Sequence, residues 1–233
     1  MRLYIVRHAD PDYINDTITP EGHLEAQALA KRFQKEGLHK IYSSPLGRAK
    51  DTAKYTADLL NLELNIEHWT KELDDHVSLE PWGRMFIINV PGEIIRGCEP
   101  LPDHETWYKR EPFANTNFHN TYKKLREFSD EFLSRHGYER QGGRYLCKRP
   151  NRDKIAVFCH GGFGLTWLSI LLELPPSLVW AGFWMPPSSV TTILFDERSN
   201  QWAVPRCIGF GDVSHLYAEG LPVRPSGIIA NFE

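Results

Sequence analysis

Two arginines and two histidines in this chain stand where short apolar runs break into polar residues. Arg7-His8 follows the run at residues 3–6, Arg48 comes shortly after the run at 39–42, and His160-Gly161 follows the run at 155–159. An imidazole with one nitrogen unprotonated is a nucleophile or a proton carrier at neutral pH. A guanidinium is a planar fork of donors that matches two oxygens of a tetrahedral anion, which a lysine point charge does not. Gathered in one place, these four side chains describe an anion site suited to phosphoryl chemistry. Each taken alone has a blander reading, as a solvated arginine or a structural histidine at a strand end.

The elements that would gather them are legible in the pattern. Residues 3–6 read as a buried strand. Thr19-Pro20-Glu21 has the form of a helix start, with Thr as N-cap, Pro at the first position and an acid in the first turn, and Gly37 closes that helix. Residues 39–42 form a second strand, a helix follows Pro45 and carries Arg48, and residues 62–66 alternate as a third strand. From about residue 76 to 150 this rhythm is lost apart from a helix over 120–135, and Leu125, Phe128 and Phe132 are expected to be its core face. Strand and helix return at 155–159 and 161–174, and strands over 190–195 and 202–207 are expected as antiparallel neighbours at one edge. Strands alternating with helices predict an α/β fold: three-layer α/β/α, a mostly parallel central sheet, and an inserted lid segment. The expected organisation is one domain over 1–233, with 76–150 as the inserted lid or cap. In such sheets ligands bind beyond the carboxyl ends of the strands, where all three motifs fall.

Bulk properties narrow the partners. A formal charge of −3 gives no basic excess for nucleic acid or an anionic membrane, so neither is expected as a partner. The four cysteines are widely spaced and form no C-x-x-C pair, so no metal site and no redox pair are expected; reduced thiols and a cytoplasmic location are the reading. The N-terminal residues lack the apolar stretch of a signal peptide, and residues 163–174 are too short to cross a bilayer.

Several segments together resemble one family. Residues 3–9, Leu-Tyr-Ile-Val-Arg-His-Ala, resemble the R-H-G signature of the histidine phosphatase superfamily, which includes phosphoglycerate mutases and many small-molecule phosphatases. Residues 43–53, Ser-Ser-Pro-Leu-Gly-Arg-Ala-Lys-Asp-Thr-Ala, resemble its S-S-P-L-x-R-A-x-x-T-A segment, and residues 157–161 its second V-x-H-G strand end. Residues 18–22 and 212–216 resemble two lesser motifs. The resemblance implies an enzyme, a phosphomonoester hydrolase acting through a phosphohistidine, without a cofactor, on a small phosphorylated molecule and releasing inorganic phosphate. It implies His8 as nucleophile, Arg7, Arg48, His160 and the Gly161 amide as phosphate binders, and a carboxylic acid as proton donor to the leaving group. For that acid Glu72 is the first candidate, with Asp75 the competitor. Ala9 departs from the usual glycine, and the middle segment departs altogether. There Trp82, Arg84, Trp107, Tyr108 and Arg110 are the aromatic and basic candidates for substrate selection, with packing of the insertion onto the sheet the preferred reading for Trp107 and Tyr108, and Asn15 and Thr17 are candidates in the loop after His8. A mutase passing the phosphoryl group to a second acceptor, and a binding protein without turnover, are the alternatives.

Overall fold

The computed structural model describes residues 1–199 and 201–228. In chain order the first half comprises β1 (Arg2–Arg7), a small hairpin β2 (Pro11–Asp12) and β3 (Thr17–Ile18), α1 (Pro20–Glu36), β4 (Lys40–Ser43), α2 (Gly47–Leu60) and β5 (Leu64–Ile66). The middle holds a second hairpin, β6 (His76–Leu79) and β7 (Gly83–Phe86), then α3 (Gly92–Arg96), α4 (Phe118–Arg135), β8 (Tyr138–Gln141) and β9 (Arg144–Cys147). The last part is β10 (Lys154–Cys159), α5 (Gly161–Leu172), α6 (Pro176–Gly182), β11 (Val190–Asp196), β12 (Trp202–Asp212) and α7 (Ser214–Ala218).

Eight strands form the central sheet in the order β5-β4-β10-β1-β11-β12-β9-β8. Its central strands are apolar at consecutive positions because both faces are covered. In β1, Leu3 and Ile5 point into one core while Tyr4 and Val6 point into the other, and β10 repeats this with Ile155 and Val157 against Ala156 and Phe158. Leu29, Phe33, Ala53 and Ala57 of α1 and α2 complete the second core, and Phe132, Phe163 and Trp167 of α4 and α5 contribute to the first. Thr19 caps α1 as its sequence predicts, its hydroxyl accepting from the Gly22 amide at 3.0 Å, and Gly37 ends the helix at φ 73°.

The three-layer α/β arrangement matches expectation, but the sheet is mixed rather than mostly parallel. Pairings β5–β4, β4–β10 and β10–β1 are parallel, whereas β1–β11, β11–β12, β12–β9 and β9–β8 are antiparallel. The parallel half is built from consecutive strand–helix units, and the other half from hairpins. The pair β11–β12 is antiparallel, yet it is not an edge, because β9 pairs with β12 through Trp202 and Leu146. The segment 76–150 therefore divides. Hairpin β8–β9 extends the main sheet, and α4 belongs to a covering layer, where Trp167 Nε1 donates to Ser129 Oγ at 2.8 Å. Hairpin β6–β7, α3 and the loops up to α4 lie outside the sheet, with Val77, Ile87, Val90, Ile95 and Trp107 packed into the adjoining core. Within α4, Leu125 and Phe132 are buried as expected, while Phe128 is 44% exposed.

Candidate active site

The end of β1 delivers Arg7 and His8 to a point where four elements meet. The His8 amide donates to Cys159 O of β10 at 2.8 Å, and the His8 carbonyl accepts from the Ser188 amide at 3.0 Å. The Ala9 amide donates to Thr52 Oγ1 at 2.9 Å, and that hydroxyl donates to Arg48 O at 2.7 Å. Thus α2 both carries Arg48 and braces the loop after the histidine. Ala9 is wholly buried, so its small side chain fits where a larger one would displace this bracing.

His8 is buried, and its Nδ1 lies 2.8 Å from the Ala9 carbonyl. A carbonyl only accepts, so Nδ1 carries the proton and Nε2 keeps the lone pair. Burial, reinforced by the Arg7 and Arg48 charges, holds the imidazole well below its ordinary pKa, with the bond to Ala9 opposing. His8 is therefore neutral at neutral pH. The His160 ring lies 5.2 Å from it, centroid to centroid. His160 is pulled down in the same direction by burial, then by His8, Arg48 and Arg7, and its Nε2 is 2.8 Å from Ser44 Oγ.

Arg7 and Arg48 line one cavity of about 670 Å³ together with Tyr13, Glu72 and Gly161. Arg48 Nη1 donates to Asp16 Oδ1 at 2.7 Å, and Asp16 Oδ2 accepts from the Gly47 amide at the same distance. A side chain at position 47 would place its Cβ 1.8 Å from the Asp16 carbonyl oxygen, so this clamp requires glycine. Arg7 Nη1 donates to Met185 O at 2.6 Å and to Ser226 O at 2.9 Å. Ser226 Oγ in turn donates to Asp10 Oδ1 at 2.7 Å, so the C-terminal segment reaches the site. Among the described residues, Arg7 Nε, Arg48 Nε and His160 Nδ1 are buried with no hydrogen-bond partner. Buried polar nitrogens are rarely left unpaired in folded proteins. Two guanidinium donors and a third, imidazole nitrogen around one histidine fit an oxyanion ligand when Ser44 Oγ donates to His160 Nε2 and leaves the proton on Nδ1.

The two acid candidates separate clearly. Glu72 lines the cavity, and its carboxylate caps α5: Oε2 accepts from the Gly162 amide at 3.1 Å, and Oε1 from Phe163 at 2.8 Å and Leu73 at 3.0 Å. A Cβ at Gly162 would fall 2.3 Å from Ile88 Cδ1 and 2.9 Å from Glu72 Oε1, so glycine is what lets the carboxylate approach. Asp75 accepts from Thr121 Oγ1 of α4 at 3.2 Å, is pushed up chiefly by burial, and is absent from the cavity lining.

The expected selectivity residues lie elsewhere. Trp107 is buried against Phe113, Phe118, Tyr122 and Trp180; Tyr108 stacks on His119; and Arg110 donates to the Pro100 carbonyl. Neither these nor Trp82 and Arg84 line the cavity. Asn15 donates to Asp12, and Thr17 to Asp51. The roof is built instead by Phe86 at the end of β7, Ile88 and Asn89 after it, and Trp180, Phe183, Trp184 and Met185 at and after α6. The aromatic run 180–184 was the available signal for it.

Comparison with known proteins gives the family of the chain. The model of the histidine phosphatase superfamily (branch 1) matches residues 3–76. A putative phosphoserine phosphatase 2 of Hydrogenobacter thermophilus is 36% identical over 151 residues, covering 58% of this chain and 68% of that protein. The chain belongs to the histidine phosphatase superfamily. A probable phosphoglycerate mutase of Salmonella paratyphi A is 23% identical over 95% of this chain and 97% of that protein. Among solved structures, a phosphoserine phosphatase from Entamoeba histolytica, in complex with 3-phosphoglyceric acid, superposes with a TM-score of 0.61 at 21% identity, covering 92% of this chain and 98% of that one. A mycobacterial glucosyl-3-phosphoglycerate phosphatase complexed with VO3 gives 0.59 at 21% identity, covering 90% and 98%. Both share the histidine phosphatase fold with this chain. Among the described residues no helix is long and apolar enough to cross a membrane.

Proposed function

We propose that this chain is a phosphomonoester hydrolase in which His8 Nε2 attacks phosphorus and is transiently phosphorylated. The observation that carries this reading is the neutral His8, its Nδ1 proton committed to Ala9 O, amid the unpartnered buried donors of Arg7, Arg48 and His160. In the first step the Nε2 lone pair forms the N–P bond as the P–O bond to the alcohol breaks. Glu72, in its acid form, gives its proton to the departing alkoxide oxygen. In the second step water attacks phosphorus, the N–P bond breaks and its electron pair returns to Nε2, and Glu72 takes the water's proton. The sum is ester plus water giving alcohol plus inorganic phosphate. Arg7, Arg48 and His160 stabilise the charge on the transferring group and the Gly161 amide, of a residue in the cavity wall, donates as well, so positioning and electrostatics carry most of the acceleration.

Hydrolysis is favoured over phosphoryl transfer to a second acceptor by the cavity wall. A bisphosphate intermediate needs cations for its second phosphate, and among the described residues the Lys or Arg side chains lining the cavity are Arg7 and Arg48 alone. The relatives named as phosphoserine phosphatases point the same way. The test is phosphate release from a panel of monoesters, with 3-phosphoglycerate isomerisation measured in parallel and with 2,3-bisphosphoglycerate primer added or withheld. Free phosphate without primer, and no isomerised product, is the expected result. Primer-dependent isomerisation without phosphate release would establish the mutase instead. Phosphate binding without turnover of any ester would establish a binding protein.

A further inference from the structure

The cavity changes character above its floor. Arg7, Arg48 and Glu72 lie at the bottom, beside the buried histidines. The rest of the wall is mostly apolar: Leu73, Ile88, Leu165, Trp180, Phe183 and Met185, with aromatic surface from Phe86, Trp184 and Tyr13, and Asn89 as its neutral amide. Phe86 and Phe183 are each 42% exposed, so large apolar rings at this cavity are left to water, with Phe183 held against Phe210 at 5.0 Å between centroids. The other charged group in the wall is Asp74, an anion. Arg224, the last basic residue of the sequence, pairs with Glu21 at 3.7 Å and is not in the wall.

A second carboxylate or phosphate on a substrate would thus leave water for a mostly apolar wall with two acids and, beyond the neutral Asn89 and Tyr13, no guanidinium or ammonium among the described lining residues other than the pair occupied by the reacting phosphate. Burying an unpaired anion in that setting is costly, whereas burying hydrocarbon against it is favourable. A volume of about 670 Å³ is within the range of sites for small organic molecules.

We infer that this site, if it hydrolyses phosphomonoesters as proposed above, is built for the phosphate ester of an uncharged, apolar alcohol bearing a ring or branched chain, and discriminates against phosphorylated hydroxy and amino acids. The phosphate is held by Arg7 and Arg48, and the alcohol lies against Ile88, Leu165, Phe86 and Phe183. This separates the chain in substrate class from relatives whose names carry phosphoserine or phosphoglycerate.

The test compares primary alkyl esters, whose leaving groups are of similar reactivity: 3-phenylpropyl phosphate against phosphoserine and 3-phosphoglycerate. The expected kcat/KM for the phenylpropyl ester is at least tenfold above both. Phe183→Ala is expected to cut that ratio at least threefold, chiefly by raising KM for the phenylpropyl ester. Equal or better turnover of either acid substrate would overturn the inference while leaving the hydrolase reading intact. So would a Phe183→Ala variant that slows all three esters alike. Absence of turnover on these and on p-nitrophenyl phosphate would remove both readings together.

Discussion

Replacing Glu72 by Gln separates two jobs that one carboxylate performs. Structurally, Glu72 receives three amide N–H groups, two at the start of α5 and one from Leu73. A glutamine can keep its carbonyl oxygen toward the Phe163 and Leu73 amides, but its NH2 then faces the Gly162 amide, donor against donor. The loss is one charge-assisted hydrogen bond, about 1.5–3 kcal/mol. For a chain of this size that lowers Tm by roughly 3–12 °C. Catalytically, the variant cannot protonate a leaving alkoxide. General acid catalysis contributes about 10²–10⁴-fold, so kcat/KM for an alkyl phosphate should fall by that factor, about 3–5.5 kcal/mol. An ester such as p-nitrophenyl phosphate, whose anion leaves readily, should slow less than about tenfold. Steady-state kinetics on both esters, at a temperature where circular dichroism shows the variant folded, distinguish the two effects. Asp75→Asn is the comparison, since Asp75 faces Thr121 and not the cavity. Equal slowing of alkyl and nitrophenyl esters by Glu72→Gln would refute its role as acid and leave it only as a helix cap.

Two further outcomes follow from groups around the floor. Glu25 is 2% exposed, accepts from the Asp10 amide at 3.0 Å, and is pushed up to about 7, chiefly by burial. Its raised folded-state pKa means the native chain holds a proton that the unfolded chain releases above its ordinary value. Stability from this group is full in acid, falls as pH rises from about 4.5 to about 7, and is absent above, a change on the order of 3 kcal/mol. Glu25→Gln keeps the bond to Asp10 without the charge, so thermal melts should show it raising Tm several degrees at pH 8 and little at pH 5; the same shift at both would count against a buried carboxylate. Asp16→Ala frees Arg48 Nη1 and the Gly47 amide, and is expected to raise KM or lower kcat about tenfold on every ester, because one charge-assisted contact orienting the guanidinium is lost. Unchanged kinetics would show that α2 alone fixes Arg48.

The floor of this site was legible because each of its residues sits next to a strong local signal. Arg7-His8 and His160 end runs of consecutive apolar residues that only a doubly covered strand tolerates, and Arg48 opens a helix whose start is marked by Ser44-Pro45. Of the two acids Glu72 lines the cavity and Asp75 does not, but the geometric reason, two amides of α5 and that of Leu73, exists only once residues 72 and 162 meet. The partners of the floor were invisible for the same cause: Asp16 on Arg48 and Ser226 on Arg7 are contacts across 32 and 219 positions of chain. The roof was sought among the aromatic and basic residues of the middle segment, Trp82, Arg84 and Arg110 included, with packing the first reading for Trp107 and Tyr108. Trp107 and Tyr108 do pack, as part of the core on that face of the sheet, and the unclaimed run 180–185 supplies much of the wall. The mixed sheet escaped because the middle segment shows too little alternation for its last hairpin, β8–β9, to stand out from a loop.

Rapid quench during turnover of a ³²P-labelled phosphomonoester addresses the nucleophile most directly. The protein should carry alkali-stable, acid-labile label on the peptide containing His8, formed and discharged as fast as turnover, and His8→Ala should carry none while retaining its fold. Label on any other residue, or turnover by His8→Ala near the rate of the unaltered protein, would contradict the account at its centre.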